Sequence, residues 1–165
     1  MKVRELMTQH AECCEPGMTL AAATERMWRI DCGVLPVVEG GKLAGILTDR
    51  DICIALGTRD RRASEVLVRE VAMGHVEVCH PNDDIRTAME AMRRAEVHRL
   101  PVVNDGNEVE GILSVNDIVL AVDRGYDAID SEEVMETVKA VCQHRGRALA
   151  TMETLDYCSC AVGVT

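Results

Sequence analysis

The sequence predicts an α/β (α+β) fold: two β-α-β-β-α repeats packed through their sheets with pseudo-twofold symmetry, plus a C-terminal helix. Three observations carry this expectation. Residues 3–38 align with residues 68–103 without a gap, with 15 identities in 36 positions, and such self-similarity decides the architecture. The stretch Gly45-Ile46-Leu47-Thr48-Asp49-Arg50-Asp51-Ile52 returns as Gly111-Ile112-Leu113-Ser114-Val115-Asn116-Asp117-Ile118, after one extra residue in a turn. Within each copy, short apolar β runs alternate with a helical period. The repeats are placed at residues 1–61 and 62–126, with a helix and tail over 127–165.

Each copy opens with a short lead, Val3 to Met7 or Val68 to Met73. A short strand follows, Ala11 to Cys14 or Val76 to Cys79, stopped by Pro16 or Pro81. Next comes an amphipathic helix. In copy one, Thr19 is the N-cap, and Leu20, Ala23, Met27 and Ile30 share a face. In copy two, Asp83 or Asp84 caps, and Ile85, Ala88, Met92 and Ala95 repeat that face. The strand Leu35 to Val38 (Leu100 to Val103) then turns through Glu39-Gly40-Gly41-Lys42 (Asn104-Asp105-Gly106-Asn107) into Leu43 to Leu47 (Val109 to Leu113). These turn residues suit a hairpin. The second helix of each copy starts at the hydroxyl residue, Thr48 or Ser114. A unit of about 60 residues with three strands cannot bury both sheet faces alone, so the copies pair. The charged linker Gly57 to Arg62 fits a crossover. Asp123-Arg124-Gly125 ends a helix, and Asp130 caps the next. Val134, Val138, Val141 and Cys142 stripe that helix through to Arg145.

Composition limits the function classes. The net charge of −10 argues against a nucleic-acid partner, which needs clustered cations. No apolar run approaches the roughly 18 residues of a membrane span, and the charged start lacks a signal-peptide core. The expected location is the cytoplasm. Phe is absent and aromatics are 2% of the chain, so a bound base would meet aliphatic walls. Six of the 8 cysteines (Cys13, Cys14, Cys32, Cys53, Cys79, Cys142) fall in apolar segments, which predicts buried reduced thiols.

The chemistry sits in the duplicated Thr48-x-x-Asp51 and Ser114-x-x-Asp117 segments. A strand that delivers a hydroxyl and a carboxylate to a helix N-terminus makes a place for a phosphorylated, ribose-bearing ligand. The same spacing is also a plain capping arrangement.

Taken with the lead Val3-Arg4-Glu5-Leu6-Met7-Thr8 and the two Leu-Pro-Val-Val strands, these segments resemble a tandem pair of cystathionine-beta-synthase (CBS) domains, a Bateman module. The resemblance covers about residues 1 to 124. It implies a regulatory, non-catalytic signal-transduction module that binds AMP, ADP or ATP in the cleft between the copies. NAD or S-adenosylmethionine is bound in some such modules, and many form homodimers. Carried over residue by residue, Asp51 and Asp117 accept from ribose hydroxyls, while Thr48 and Ser114 bind phosphate. Arg50 and Asn116 follow them. Gly33-Val34 and His98-Arg99, ahead of Pro36 and Pro101, set backbone groups against adenine. His98 and Arg99 also reach phosphate. The first strands, with Cys13 and Val78, flank the base. Gly33 and Asp49 depart from copy two, which has His98 and Val115; a single site would be the second.

Competing readings remain. Empty clefts would leave a structural or interaction module acting on a regulated partner through its C-terminal helix. His75, Cys79 and His80 do not make a metal site, because Cys79 and His80 point to opposite faces of a strand. No nucleophile, base and orienting group fall together, so no catalytic residue is assigned. Cys158-x-Cys160 reads as an incidental tail or a redox pair. Trp28 lies off the Leu20/Met27 face, where copy two has Arg93, and is assigned to a homodimer contact.

Overall fold

The computed structural model describes residues 1–123 and 130–143. In order, the elements are β1 (Thr8–Gln9), α1 (Leu20–Arg29), β2 (Val34–Glu39), β3 (Lys42–Thr48), α2 (Asp49–Arg59), α3 (Ile85–Ala95), β4 (Arg99–Val103), β5 (Val109–Ser114), α4 (Val115–Asp123) and α5 (Ser131–Cys142). The sheets are antiparallel, β2–β3 in copy one and β1–β5–β4 in copy two.

Local chemistry accounts for most boundaries. The Thr19 hydroxyl accepts from the Ala22 amide at 3.2 Å and starts α1. Asp84, of the two candidates, caps α3 by accepting from the Arg86 amide at 3.1 Å. Asp130 does the same for α5. Gly40 and Gly41 take positive φ in the β2–β3 turn, where glycine avoids a Cβ clash. Leu20, Ala23 and Met27 are buried on α1, while Ile30, placed on the same face, is exposed just past the helix end; Ile85, Ala88 and Met92 are buried on α3.

Four expectations are corrected. The strands placed at Ala11–Cys14 and Val76–Cys79 shrink to single parallel bridges, Cys14 to Val37 and Cys79 to Val102. Pro16 and Pro81 follow within two residues and cannot donate to a ladder. The linker at Gly57 begins as helix, since α2 runs to Arg59 and stops where Asp60 turns left-handed. Cys53 and Cys142 are exposed, because the helical faces they occupy look outward. On α5, Thr137 takes the buried place instead. The endings at Arg124 and Gly125, Arg145, and the Cys158 and Cys160 pair lie outside the described residues.

The two cores exchange their leads. Val3 is buried among Ile85, Met89, Leu100 and Leu113 of copy two. Val66, Val68 and Ala72 are buried among Leu20, Leu35 and Leu47 of copy one. Backbone bonds fix each crossing: the Val3 amide donates to Asp83 O at 3.0 Å, and the Val68 amide to Met18 O at 2.8 Å. β1 belongs to copy one, yet it pairs with β5, Thr8 opposite Ile112 and Gln9 opposite Gly111. Glycines allow the close approach. A Cβ on Gly111 would stand 2.5 Å from the Thr8 carbonyl oxygen, and one on Gly45 only 1.8 Å from that of Ala72.

α5 packs on α3 and α4 of copy two. The Arg86 Nε donates to Glu133 at 3.0 Å, and Arg93 donates to the Thr137 hydroxyl at 2.8 Å. Thr137 is 1% exposed, and its hydroxyl donates to the Glu133 carbonyl at 2.9 Å while accepting from Arg93, so both bonds are made inside the protein. Arg93→Ala is expected to lower stability by about 1–2 kcal/mol, read as a drop in the urea midpoint.

Burial pushes the Cys79 thiol up to about 12 and the Cys14 thiol up to about 11, above their ordinary value of 9.0. Both stay protonated while folded. A raised folded-state value stabilises the fold below the ordinary thiol value, and that stability is lost as pH climbs through 9 toward 11 or 12. Alkaline solution should therefore destabilise the chain progressively above pH 9. At pH 8 a thiol reagent should modify exposed Cys53 and Cys142 and reach Cys14 and Cys79 only on unfolding; equal rates in the native protein would contradict this burial.

Candidate functional site

The two hydroxyl–carboxylate pairs have one geometry. The Thr48 hydroxyl donates to Asp51 Oδ2 at 2.6 Å, the Thr48 amide donates to the same oxygen at 3.0 Å, and the Asp51 amide returns to Thr48 Oγ1 at 3.1 Å. For Ser114 and Asp117 the distances are 2.7, 2.8 and 3.2 Å. Both pairs are thus reciprocal helix caps. Only Oδ2 of each aspartate is used in these bonds, and Oδ1 is not part of the cap.

What surrounds the two caps differs. A groove of about 440 Å³ opens at the Ser114 end, and its walls come from both copies. Copy two supplies Arg99, Ile112, Ser114 and Asp117; copy one supplies Gly33, Val34 and Pro36, together with Thr8, His10 to Glu12 and Ile30 to Cys32. Arg99 stands directly opposite Ser114 in the β4–β5 ladder, so a cation lies beside the hydroxyl at the N-terminus of α4. The equivalent of Arg99 in copy one is Val34, opposite Thr48. Thr48, Arg50 and Asp51 do not line this groove. At their end the Asp49 carboxylate lies over Gly33, so close that a Cβ on Gly33 would meet its Oδ2 at 2.8 Å. Gly33 and Asp49 are a fitted pair: copy two replaces them with His98 and Val115, keeping the backbone bond from residue 115 to His98 O at 3.0 Å.

Six of the residues singled out from the sequence therefore meet in one place: Gly33, Val34, Pro36, Arg99, Ser114 and Asp117. The others do not join them. Asn116 and His98 are exposed, Pro101 is buried in β4, and Val78 is half-buried. Cys13 lines a neighbouring cavity of about 810 Å³ with Arg26 and Arg69, and burial raises its thiol pKa, with Glu12 adding to the shift. Glu12 lies in the first strand of copy one, expected to flank the base, whereas Asp31, Cys32 and Ile112 line the groove without having been singled out as ligand residues. Ile112 carried a signal, since it alternates with Gly111 and Leu113 on a strand whose end holds Ser114. Asp31 did not: its place follows from a left-handed φ of 51° after α1.

Among the described residues no group of three His, Cys, Asp or Glu side chains is placed to hold a metal ion, and no helix is long and apolar enough to cross a membrane.

Two homologous halves, each a helix-backed hairpin, with a groove walled by both, define a paired-repeat module. The chain belongs to the CBS domain family, as a tandem pair: the family model matches residues 3–58 and again residues 68–124. The CBS domain-containing protein YhcV of Bacillus subtilis is 33% identical over 118 residues, 72% of this chain and 83% of that protein. Among solved structures, the CBS domain pair of protein MJ0100 in complex with 5-methylthioadenosine and S-adenosyl-L-methionine superposes with a TM-score of 0.68 at 22% identity, covering 75% of this chain and 97% of that one. The structure of CBSX2 in complex with AMP gives 0.65 at 21% identity, covering 74% and 96%. At these identities both show the shared fold.

Proposed function

We propose that this chain is a non-catalytic regulatory module that senses an adenosine nucleotide, AMP, ADP or ATP, in the groove between its repeats. The observation that carries the proposal is the convergence of Asp117, Ser114 and Arg99 with Val34 and Pro36 from the other copy. Asp117 keeps Oδ1 outside the cap and offers it to a ribose hydroxyl. The Asn116 amide in the first turn of α4 and the Arg99 guanidinium meet a phosphate, and the Ser114 hydroxyl turns its proton from Asp117 to the phosphate when the ligand binds. Val34, Pro36 and Ile112 supply the aliphatic walls for the base. A volume of about 440 Å³ lies within the range of small-ligand sites. The adenosyl ligands of MJ0100 and the AMP of CBSX2 support this ligand class, to which S-adenosylmethionine and NAD also belong.

Binding signals only if it favours one arrangement of the chain over another. α4 begins at the groove and packs against α5, so the seat of α5 is the element whose equilibrium the ligand shifts. The test is a thermal-shift panel of AMP, ADP, ATP, NAD and S-adenosylmethionine. Stabilisation by at least one compound is expected, and no shift with any of them refutes the proposal.

A second reading is an interaction module with an empty groove that works through α5. The pinning of α5 by Arg86 and Arg93 favours it. Native mass spectra without co-purified nucleotide, and a partner lost on deleting residues 130–165, would support it instead.

The homodimer contact belongs to this proposal too. Trp28 is 86% exposed, whereas its counterpart Arg93 is tied to α5. Trp28→Glu is expected to shift the chain from dimer to monomer in analytical ultracentrifugation, because an exposed indole is enriched at interfaces. An unchanged sedimentation coefficient would remove Trp28 from any dimer contact.

A further inference from the structure

The groove is unevenly charged. Among the described residues Arg99 is the one arginine in its lining and no lysine joins it, His10 is its one imidazole, and Glu12, Asp31 and Asp117 are its carboxylates. Asp117 is engaged in the α4 cap. Glu12 faces Arg26 at 3.9 Å, which offsets part of its charge. Asp31 is exposed at the end of α1, its backbone fixed by a bond from its amide to Trp28 O at 3.3 Å. A groove of this volume is roughly 8 Å across, comparable to the screening length at physiological salt. Every carboxylate in the lining is therefore felt by a ligand anywhere inside.

One phosphate group carries a charge of about −1.5 to −2 at neutral pH. Arg99 and the positive end of α4, equivalent to about half a charge, roughly balance it. A second or third phosphate adds negative charge with no further arginine or lysine among the described lining residues to meet it, in a groove narrow enough for the Glu12 and Asp31 carboxylates to act on it. We infer that this groove selects adenosine ligands with a single phosphate over those with two or three, and that Asp31 and Glu12 set the limit. This rests on the adenosine reading above and narrows it from three nucleotides to one phosphate class.

The test is calorimetric titration of the full chain with adenosine, AMP, ADP and ATP, at fixed ionic strength and with EDTA present. It is repeated on Asp31→Asn, Glu12→Gln and the double variant. Asparagine tolerates the left-handed backbone at position 31, and melting curves check that each variant is folded. AMP is expected to bind at least about tenfold more tightly than ATP, and the double variant to narrow that ratio at least about threefold. ATP binding as tightly as AMP, or a ratio unchanged in the double variant, overturns the inference while leaving the adenosine reading in place. Absence of binding by all four compounds overturns both.

Discussion

Asp117→Ala is expected to abolish the stabilisation that a nucleotide confers. At 100 times its Kd, a ligand that binds only the folded chain adds about 2.7 kcal/mol to stability. In the variant the ribose loses its acceptor. Ser114 also loses the partner that orients its hydroxyl at 2.7 Å, so phosphate binding weakens with it. The substitution removes a helix cap as well, at about 1 kcal/mol, and a lower Tm without ligand is expected for that reason alone. Asp84→Ala separates the two effects. Asp84 is the N-cap of α3, its carboxylate accepting from the Arg86 amide; it lies outside the groove, and its loss should lower Tm while leaving the nucleotide shift intact. A full nucleotide shift in Asp117→Ala would remove Asp117 from the site.

The largest effect on stability is expected at Gly45. A valine there would place its Cβ 1.8 Å from the carbonyl oxygen of Ala72, and the clash is with backbone on both sides. No rotamer relieves it. The lead at residues 66–72 would have to leave β3, taking Val66, Val68 and Ala72 out of the copy-one core. Gly45→Val should cost at least about 3 kcal/mol, with a large fall in the urea midpoint. Gly57→Ala is the contrast. Gly57 lies within α2 with nothing near its missing Cβ, so alanine should raise stability by about 0.5–1 kcal/mol. If the two substitutions had similar effects, the exchanged packing of the leads would be wrong.

These predictions also show which parts of the molecule were legible in the chain. The caps at Thr19, Thr48, Ser114 and Asp130 were readable because a cap is a bond between residues two or three apart. The turn at Gly40 and Gly41 was readable because only a few residues accept positive φ. The buried faces of α1 and α3 follow from a 3.6-residue period. The predicted first strands were less secure. Ala11–Cys14 and Val76–Cys79 have β-like composition, but an extended run becomes a strand only when a partner lies alongside, and each finds one bridge partner. Thr8 and Gln9, with no apolar pattern, do form a strand because β5 lies beside them. On α5 the period placed Cys142 inward, but the neighbour that matters is Arg93, which selects Thr137.

The duplicated hydroxyl–carboxylate motif shows the same division at the site. Its two copies are chemically alike, and the sequence prefers the second only through the departures at Gly33 and Asp49 in copy one. Their surroundings separate them: Arg99 stands opposite Ser114, whereas Val34 stands opposite Thr48, and Asp49 fills the space above Gly33. A carboxylate close to a phosphate site opposes binding, and a guanidinium favours it.

The chain by itself determined the duplication, the type and order of the main helices and hairpins, their caps and the membership of the CBS family. Each of these depends on contacts short in sequence or on the repetition itself. Only the tertiary structure decided that the leads trade places, that one groove draws its walls from both copies, and that α5 covers Arg93 while Trp28 stays bare. Those outcomes depend on which distant side chains leave room for one another, and residues far apart in the chain carry no local signal of which will meet.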